Sequence, residues 1–201
     1  MTTLLKISYS IRIFLVISLC APVKAGSDWE LKIDIGGVKI YQQQRVGFKQ
    51  LHTKGSVVVV AQAQEVLALM EDLSLCSEWL YGCISAKQHG DGLTQMFLKG
   101  PMWYKDRDVV FSTKSHQLEG SGQWHLSMQN QPNMHIDSDH IRVKHTDATW
   151  LITQLSPTQV TINYELYIDP EIKLRSGVDK YNRDAMFRTL RNIRKLLKSK
   201  K

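Results

Sequence analysis

The chain has 201 residues, three cysteines and a formal net charge of +7. Without the first 25 residues it keeps 176, the size of one domain with a full hydrophobic core, so no second domain is required. The charge is uneven: Lys173 to Lys201 holds 11 basic residues against Asp179 and Asp184, while Gly26 to Ile172 carries a net −5.

The N-terminal segment differs from the rest. Lys6 and Arg12 flank the start of an apolar run from Ile13 to Ala21, and Val23-Lys24-Ala25 closes it, which is the three-part plan of a secretory signal. The run is short of the roughly 20 residues a membrane span needs. A small-x-small pattern predicts cleavage after Ala25, giving a signal peptide at 1–25 and one domain at 26–201. No later stretch is long and apolar enough to cross a bilayer, so this reading places a soluble, monomeric chain in the periplasm or outside the cell. Retention of the segment as an anchor is the alternative, and Leu19 before Cys20 argues against a lipoprotein site. The basic balance suits nucleic acid, but the export signal does not. Cys76 and Cys83 then face a compartment that permits disulfides, and their spacing fits either a local bridge or two buried thiols.

In chain order, Ser27-Asp28 before Trp29-Glu30-Leu31 predicts a short capped helix, broken by Gly36-Gly37. Val38 to Tyr41 and Phe48 to Val60 carry strand composition around a turn at Val46-Gly47. Val66, Leu67, Leu69, Met70 and Leu73 fall at helical spacing, which predicts one helix between Ala63 and Trp79. Strand-like segments follow at Cys83–Gln88, Leu93–Leu98, Arg107–His116, Gly122–Gln129, Ile141–Ile152 and Gln159–Ile168, and a long antiparallel meander joins them most economically.

Two strands alternate clearly. Trp124, Leu126 and Met128 oppose His125, Ser127 and Gln129, and Val160, Ile162, Tyr164, Leu166 and Ile168 oppose Thr161, Asn163, Glu165 and Tyr167. From Ser176 to Leu197 the period is helical, with Val178, Ala185, Met186, Leu190, Ile193, Leu196 and Leu197 in one stripe and a basic face opposite. The stripe needs an apolar partner, and the sheet is available. The expected class is α+β, a curved antiparallel sheet wrapped around a long C-terminal helix.

The segment Gly100-Pro101-Met102-Trp103-Tyr104-Lys105-Asp106-Arg107-Asp108-Val109-Val110-Phe111 resembles the START domain, the steroidogenic-acute-regulatory-related lipid transfer family. Trp29-Glu30-Leu31 with Gly37 to Tyr41, Leu75 to Trp79, and Ile141 to His145 resemble further parts of that family in the same order, over nearly the whole mature chain. The resemblance implies a helix-grip fold with a hydrophobic tunnel between sheet and C-terminal helix. It implies a phospholipid, sterol or similar molecule as ligand, held by burial of its apolar surface, for transfer or sensing. Several family members place a buried arginine six residues after the Arg-Asp arginine. Here that position is Thr113, so a hydroxyl or amide is expected in place of a charged floor.

Arg107 shares a strand face with Val109, Phe111 and Thr113. A cation there calls for a salt bridge or a lipid head group. Phe111, Trp124, Met128 and Tyr164 fall on inward faces and line either a tunnel or plain core. Asn182 and Thr189 interrupt the helix stripe near Met186 and need polar partners. The expected ligand-binding set is Arg107, Phe111, Thr113, Trp124, Met128, Tyr164, Asn182 and Met186. No cofactor is expected, and the histidines from His135 to His145 fit no zinc spacing. The basic helix face suits transient contact with anionic membrane, and that helix is the expected lid. Related helix-grip folds include polyketide cyclases and aromatases, but only Arg107 and an outward His125 are available for acid–base work, so a non-enzymatic role is expected.

Overall fold

The structure is a computed structural model and describes residues 28–199 apart from Met102 and Asp137. The signal at 1–25, the Ser27 cap, Met102 of the Gly100–Phe111 segment and the terminal Lys200-Lys201 lie outside the described residues.

The expected first helix is instead a strand, β1 (Glu30–Ile35), antiparallel to β2 (Val38–Gln43) with Ile35 opposite Val38. Gly36 and Gly37 both have positive φ, 57° and 75°, which is the two-residue turn that matches strand twist. A helix of six residues is marginal in water, so the hairpin wins. After the Val46-Gly47 loop, β3 (His52–Val59) pairs with β2. The expected single helix breaks after α1 (Ala63–Glu71): Asp72 is extended and its carboxylate accepts from Ser74 N–H at 3.0 Å, starting a 3-10 turn at Leu73–Leu75 before α2 (Cys76–Trp79). A capping carboxylate inside a helical sequence competes with the backbone in this way.

Seven further strands follow: β4 (Cys83–Gln88), β5 (Leu93–Leu98), β6 (Arg107–Leu118), β7 (Gln123–Asn130), β8 (Ile141–Arg142), β9 (His145–Ser156) and β10 (Gln159–Asp169). The expected strand Ile141–Ile152 is therefore split, with β8 parallel to the start of β6 and β9 between β10 and β7. All ten strands form one sheet in the order β1-β2-β3-β10-β9-β7-β6-β5-β4, with β8 off the path beside β6.

The last element, α3 (Arg175–Ser199), packs Met186, Leu190, Ile193 and Leu197 against Val38, Ile40, Val57 and Ile162 of the sheet. Gly55 permits the close approach: a Cβ there would lie 2.7 Å from Leu190 Cδ1 and 2.9 Å from both Ile40 Cδ1 and Met186 Sδ. The expected stripe holds, with Ala185 and Leu196 only half-buried and with polar Asp179, Asn182 and Thr189 also inside. Cys76 and Cys83 form a disulfide with Cα atoms 5.9 Å apart. They join Met96, Val109, Phe111 and Val143 in a second, smaller apolar cluster.

Candidate functional site

A cavity of about 130 Å³ lies between the inner face of the sheet and α3. Alternation in β9 and β10 sends Ala148, Trp150, Tyr164, Leu166 and Ile168 into it. Trp150 lies flat on Tyr164, with ring centroids 3.6 Å apart, and Trp79 meets Trp150 edge-on at 6.0 Å. Met96, Val109, Phe111 and Met128 continue the apolar wall across β5, β6 and β7, and α3 contributes Asn182, Ala185, Met186 and Thr189. Burial in these surroundings raises the Tyr164 phenol above its ordinary pKa.

One wall is the segment Trp79 to Gly82 that follows α2, and it is tied in three places. The Cys76–Cys83 disulfide closes it covalently, Tyr81 N–H donates to Thr189 Oγ1 at 3.0 Å, and Lys99 N–H donates to Gly82 O at 2.7 Å. The loop from Lys99 to Asp106 borders the cavity through Lys99 and Pro101. Gly100 N–H donates to Asp106 Oδ1 at 2.9 Å, and this bond, ahead of the Lys99 ammonium, holds the Asp106 carboxyl below its usual range. Only glycine fits at position 100, because a Cβ would overlap the carbonyl oxygens of Tyr104 and Lys105. At the loop's tip Trp103 is 81% exposed and stacks on Tyr104.

Arg107 is the buried cation of the chamber, 5% exposed. Its Nη1 donates to Lys105 O and its Nη2 to Pro170 O at 3.2 Å, while Nε has no partner among the described residues. Desolvation lowers its pKa, although a guanidinium remains charged in proteins. The titratable side chains of the lining are Arg107, Lys99 and the tyrosines 81, 164 and 181, so no carboxylate, imidazole or thiol among the described residues faces the space. That set offers apolar burial, hydroxyls and two cations, Arg107 buried and Lys99 exposed and paired with Asp106.

No family model matches the chain. An uncharacterized protein of Pseudomonas aeruginosa is 25% identical over 173 residues, which is 83% of this chain and 85% of the relative. Among solved structures, the STAR-related lipid transfer protein from Xanthomonas axonopodis superposes with a TM-score of 0.75 at 19% identity, over 85% of this chain and 98% of that one. The human StAR-related lipid transfer protein 5 gives 0.73 at 17% identity, over 85% and 86%. The chain has the START fold.

Within this START fold, six of the eight residues expected to bind ligand, Arg107, Phe111, Met128, Tyr164, Asn182 and Met186, border one space. Thr113 does not: β6 runs past the region covered by α3, and from Thr113 onward its residues are exposed. From Thr113 a hydroxyl or amide was expected in place of a charge, and a charge does border the cavity, that of Arg107. Trp124 shares the inner face with Met128 but is half-buried against the core cluster and leaves the cavity lining to its neighbours. Arg107 has no ion pair among the described residues, so the expected salt bridge is replaced by two backbone carbonyls. Asn182 Nδ2 donates to Ile168 O at 3.5 Å. His125 pairs across strands with His116, their rings 5.1 Å apart, and is absent from the lining, as its outward alternation required.

Sequence patterning alone does not bring out the wall at Trp79 to Gly82, the rim residue Tyr181, or Trp150. A signal for Trp150 exists, since Ala148, Trp150 and Ile152 alternate along β9.

Proposed function

We propose that this protein binds a single lipid-like molecule between sheet and α3 and carries it between membranes. The observation that carries the reading is the apolar cavity between sheet and α3, at the place where START folds have their tunnel. The solved neighbours are lipid transfer proteins by name, and the lining suits an acyl or sterol body, whose burial is worth about 25 cal/mol per Å².

At about 130 Å³ the cavity is smaller than the several hundred Å³ of common ligand sites, so loading requires it to widen. Moving the whole of α3 would uncover Met186, Leu190, Ile193 and Leu197, all fully buried. The Lys99–Asp106 loop is cheaper to displace, since hydrogen bonds rather than buried apolar packing tie it outward: Lys99 N–H to Gly82 O, the Tyr181 hydroxyl to Lys99 O at 3.3 Å, Ile141 N–H to Asp106 O at 3.2 Å and Arg107 Nη1 to Lys105 O. This loop replaces α3 as the gate in our reading. Trp103 at its tip is suited to the water–lipid boundary. Exposed Arg188, Arg191, Lys195 and Lys198 on α3 add attraction to anionic lipid. Export to the periplasm or beyond, by the signal at 1–25, agrees with a structural disulfide.

Native mass spectrometry of protein purified from its own compartment, with extraction of any bound molecule, tests the reading. A stoichiometric lipid is expected. Protein that is reproducibly empty and takes up no lipid from vesicles would overturn it.

A further inference from the structure

The cavity's apolar walls suit any hydrophobic body, and of the two cations in its lining Arg107 is buried while Lys99 is exposed and paired with Asp106. We infer that the bound lipid carries an anionic head, a carboxylate or phosphate, and that Arg107 binds it. This rests on the lipid-binding reading of the same cavity and adds the chemical class of its ligand.

Three observations carry it. Arg107 borders the cavity and is nearly fully buried. Among the described residues its guanidinium has two hydrogen bonds, both to neutral carbonyls, and the Tyr104 ring at 5.9 Å, while Nε is unpartnered. The described carboxylates near it have other partners, Asp106 with Lys99 at 3.2 Å and Gly100 N–H, Asp108 with Arg142 at 2.8 Å and Glu171 with Lys144 at 3.3 Å, so Asp106 and Glu171 act on the guanidinium only from beyond ion-pair distance.

A buried charge is stable only when paired or well solvated. Two carbonyl dipoles meet part of that need, and three of the five guanidinium N–H groups remain for a guest. A carboxylate or phosphate oxygen supplies an anion in direct contact, with the short, strong hydrogen bonds of an ionised pair. A sterol or a fatty alcohol fills the apolar walls but leaves the cation without a directly paired anion. The cavity therefore selects by charge at one end and accepts any slender apolar body at the other.

The test compares ligands matched in chain and different in head: oleate and 1-oleoyl lysophosphatidate against oleyl alcohol and monoolein, titrated into the purified disulfide-bonded protein by calorimetry. At least one anionic ligand is expected to bind tenfold or more tightly than its neutral counterpart, and the tighter of the two assigns carboxylate or phosphate. In Arg107→Met the ratio should shrink to within about threefold, and Arg107→Lys should keep an intermediate preference, with circular dichroism reporting the fold of each. Equal binding of charged and neutral ligands by the unaltered protein overturns the inference and leaves lipid binding standing. Uptake of none of the four overturns the lipid reading as well.

Discussion

Arg142 grips Asp108 at 2.8 Å, and Asp108 is fully buried. The same carboxylate accepts from Gln95 Nε2 at 2.8 Å, tying β8 to β6 and β5. Arg107, one residue earlier, turns to the opposite face of the strand and into the cavity. Strand alternation thus separates the Arg-Asp pair into a cavity-facing cation and a structural anion.

Removing one partner of a buried ion pair costs about 3–5 kcal/mol because the other is left unpaired. Arg142→Leu should lower the unfolding free energy by an amount of that order, read as a drop in denaturant midpoint with little change in slope. A loss below about 1 kcal/mol would show that Gln95 and solvent suffice for Asp108.

Gly55 should not tolerate a methyl group. Gly55→Ala forces Leu190, Ile40 and Met186 aside together, and overpacking of this kind typically costs about 1–3 kcal/mol. Thermal unfolding is the measurement. An unchanged midpoint would mean that α3 shifts outward freely.

Reduction of Cys76–Cys83, or the double substitution to serine, should destabilise the protein by about 2 kcal/mol, as expected for a short closed loop. Ligand binding should weaken as well, because the bridge fixes the wall from Trp79 to Gly82. Full ligand affinity in the double serine variant would separate the bridge from the site.

His52 lies 4% exposed between Phe48 and Tyr167, and burial, with the charge of Arg45, lowers its pKa from 6.5 to about 4, while Asp147 acts in the opposite sense. Its folded pKa is below its unfolded value, so the unfolded state binds more protons between pH 6.5 and 4. Stability from neutral His52 is complete above pH 6.5 and is lost as pH falls through that window, by up to about 1.4 kcal/mol per pH unit. The His52→Gln variant should show a flatter stability profile there, and an identical slope would remove His52 as its source.

Trp103→Ala should leave unfolding within about 0.5 kcal/mol of the parent, as exposed substitutions do. It should reduce vesicle binding and inter-vesicle lipid transfer severalfold. Unchanged transfer would assign membrane contact to the basic face of α3 alone.

Elements with strong periods are legible in the residues themselves. The alternation through Val160, Ile162, Tyr164, Leu166 and Ile168 marks the inner face of β10, and the stripe through Met186, Leu190 and Ile193 marks the buried side of α3. At β1 a cap signal at Ser27-Asp28 competes with the alternation of Leu31, Ile33 and Ile35, and the positive φ of Gly36 and Gly37 decides for the hairpin. Thr113 shows the limit of parity: period two gives the face, but burial depends on what covers that face, and β6 outruns its cover. The partners of Arg107 are illegible because backbone carbonyls from Lys105 and Pro170 leave no trace in residue identity.

The sheet order has a consequence for how the molecule is assembled. β1 to β3 and β4 to β9 meet only through β10, where Val57 pairs with Ile162, more than a hundred residues away in the chain. Until the stretch from Gln159 to Asp169 exists, the two parts share no hydrogen-bonded edge, and α3 has no complete surface to lie on. Non-local pairings of this kind form late and slowly. A growing chain therefore acquires both walls of the chamber in its closing stage, and no shortened product ending before β10 presents a finished pocket.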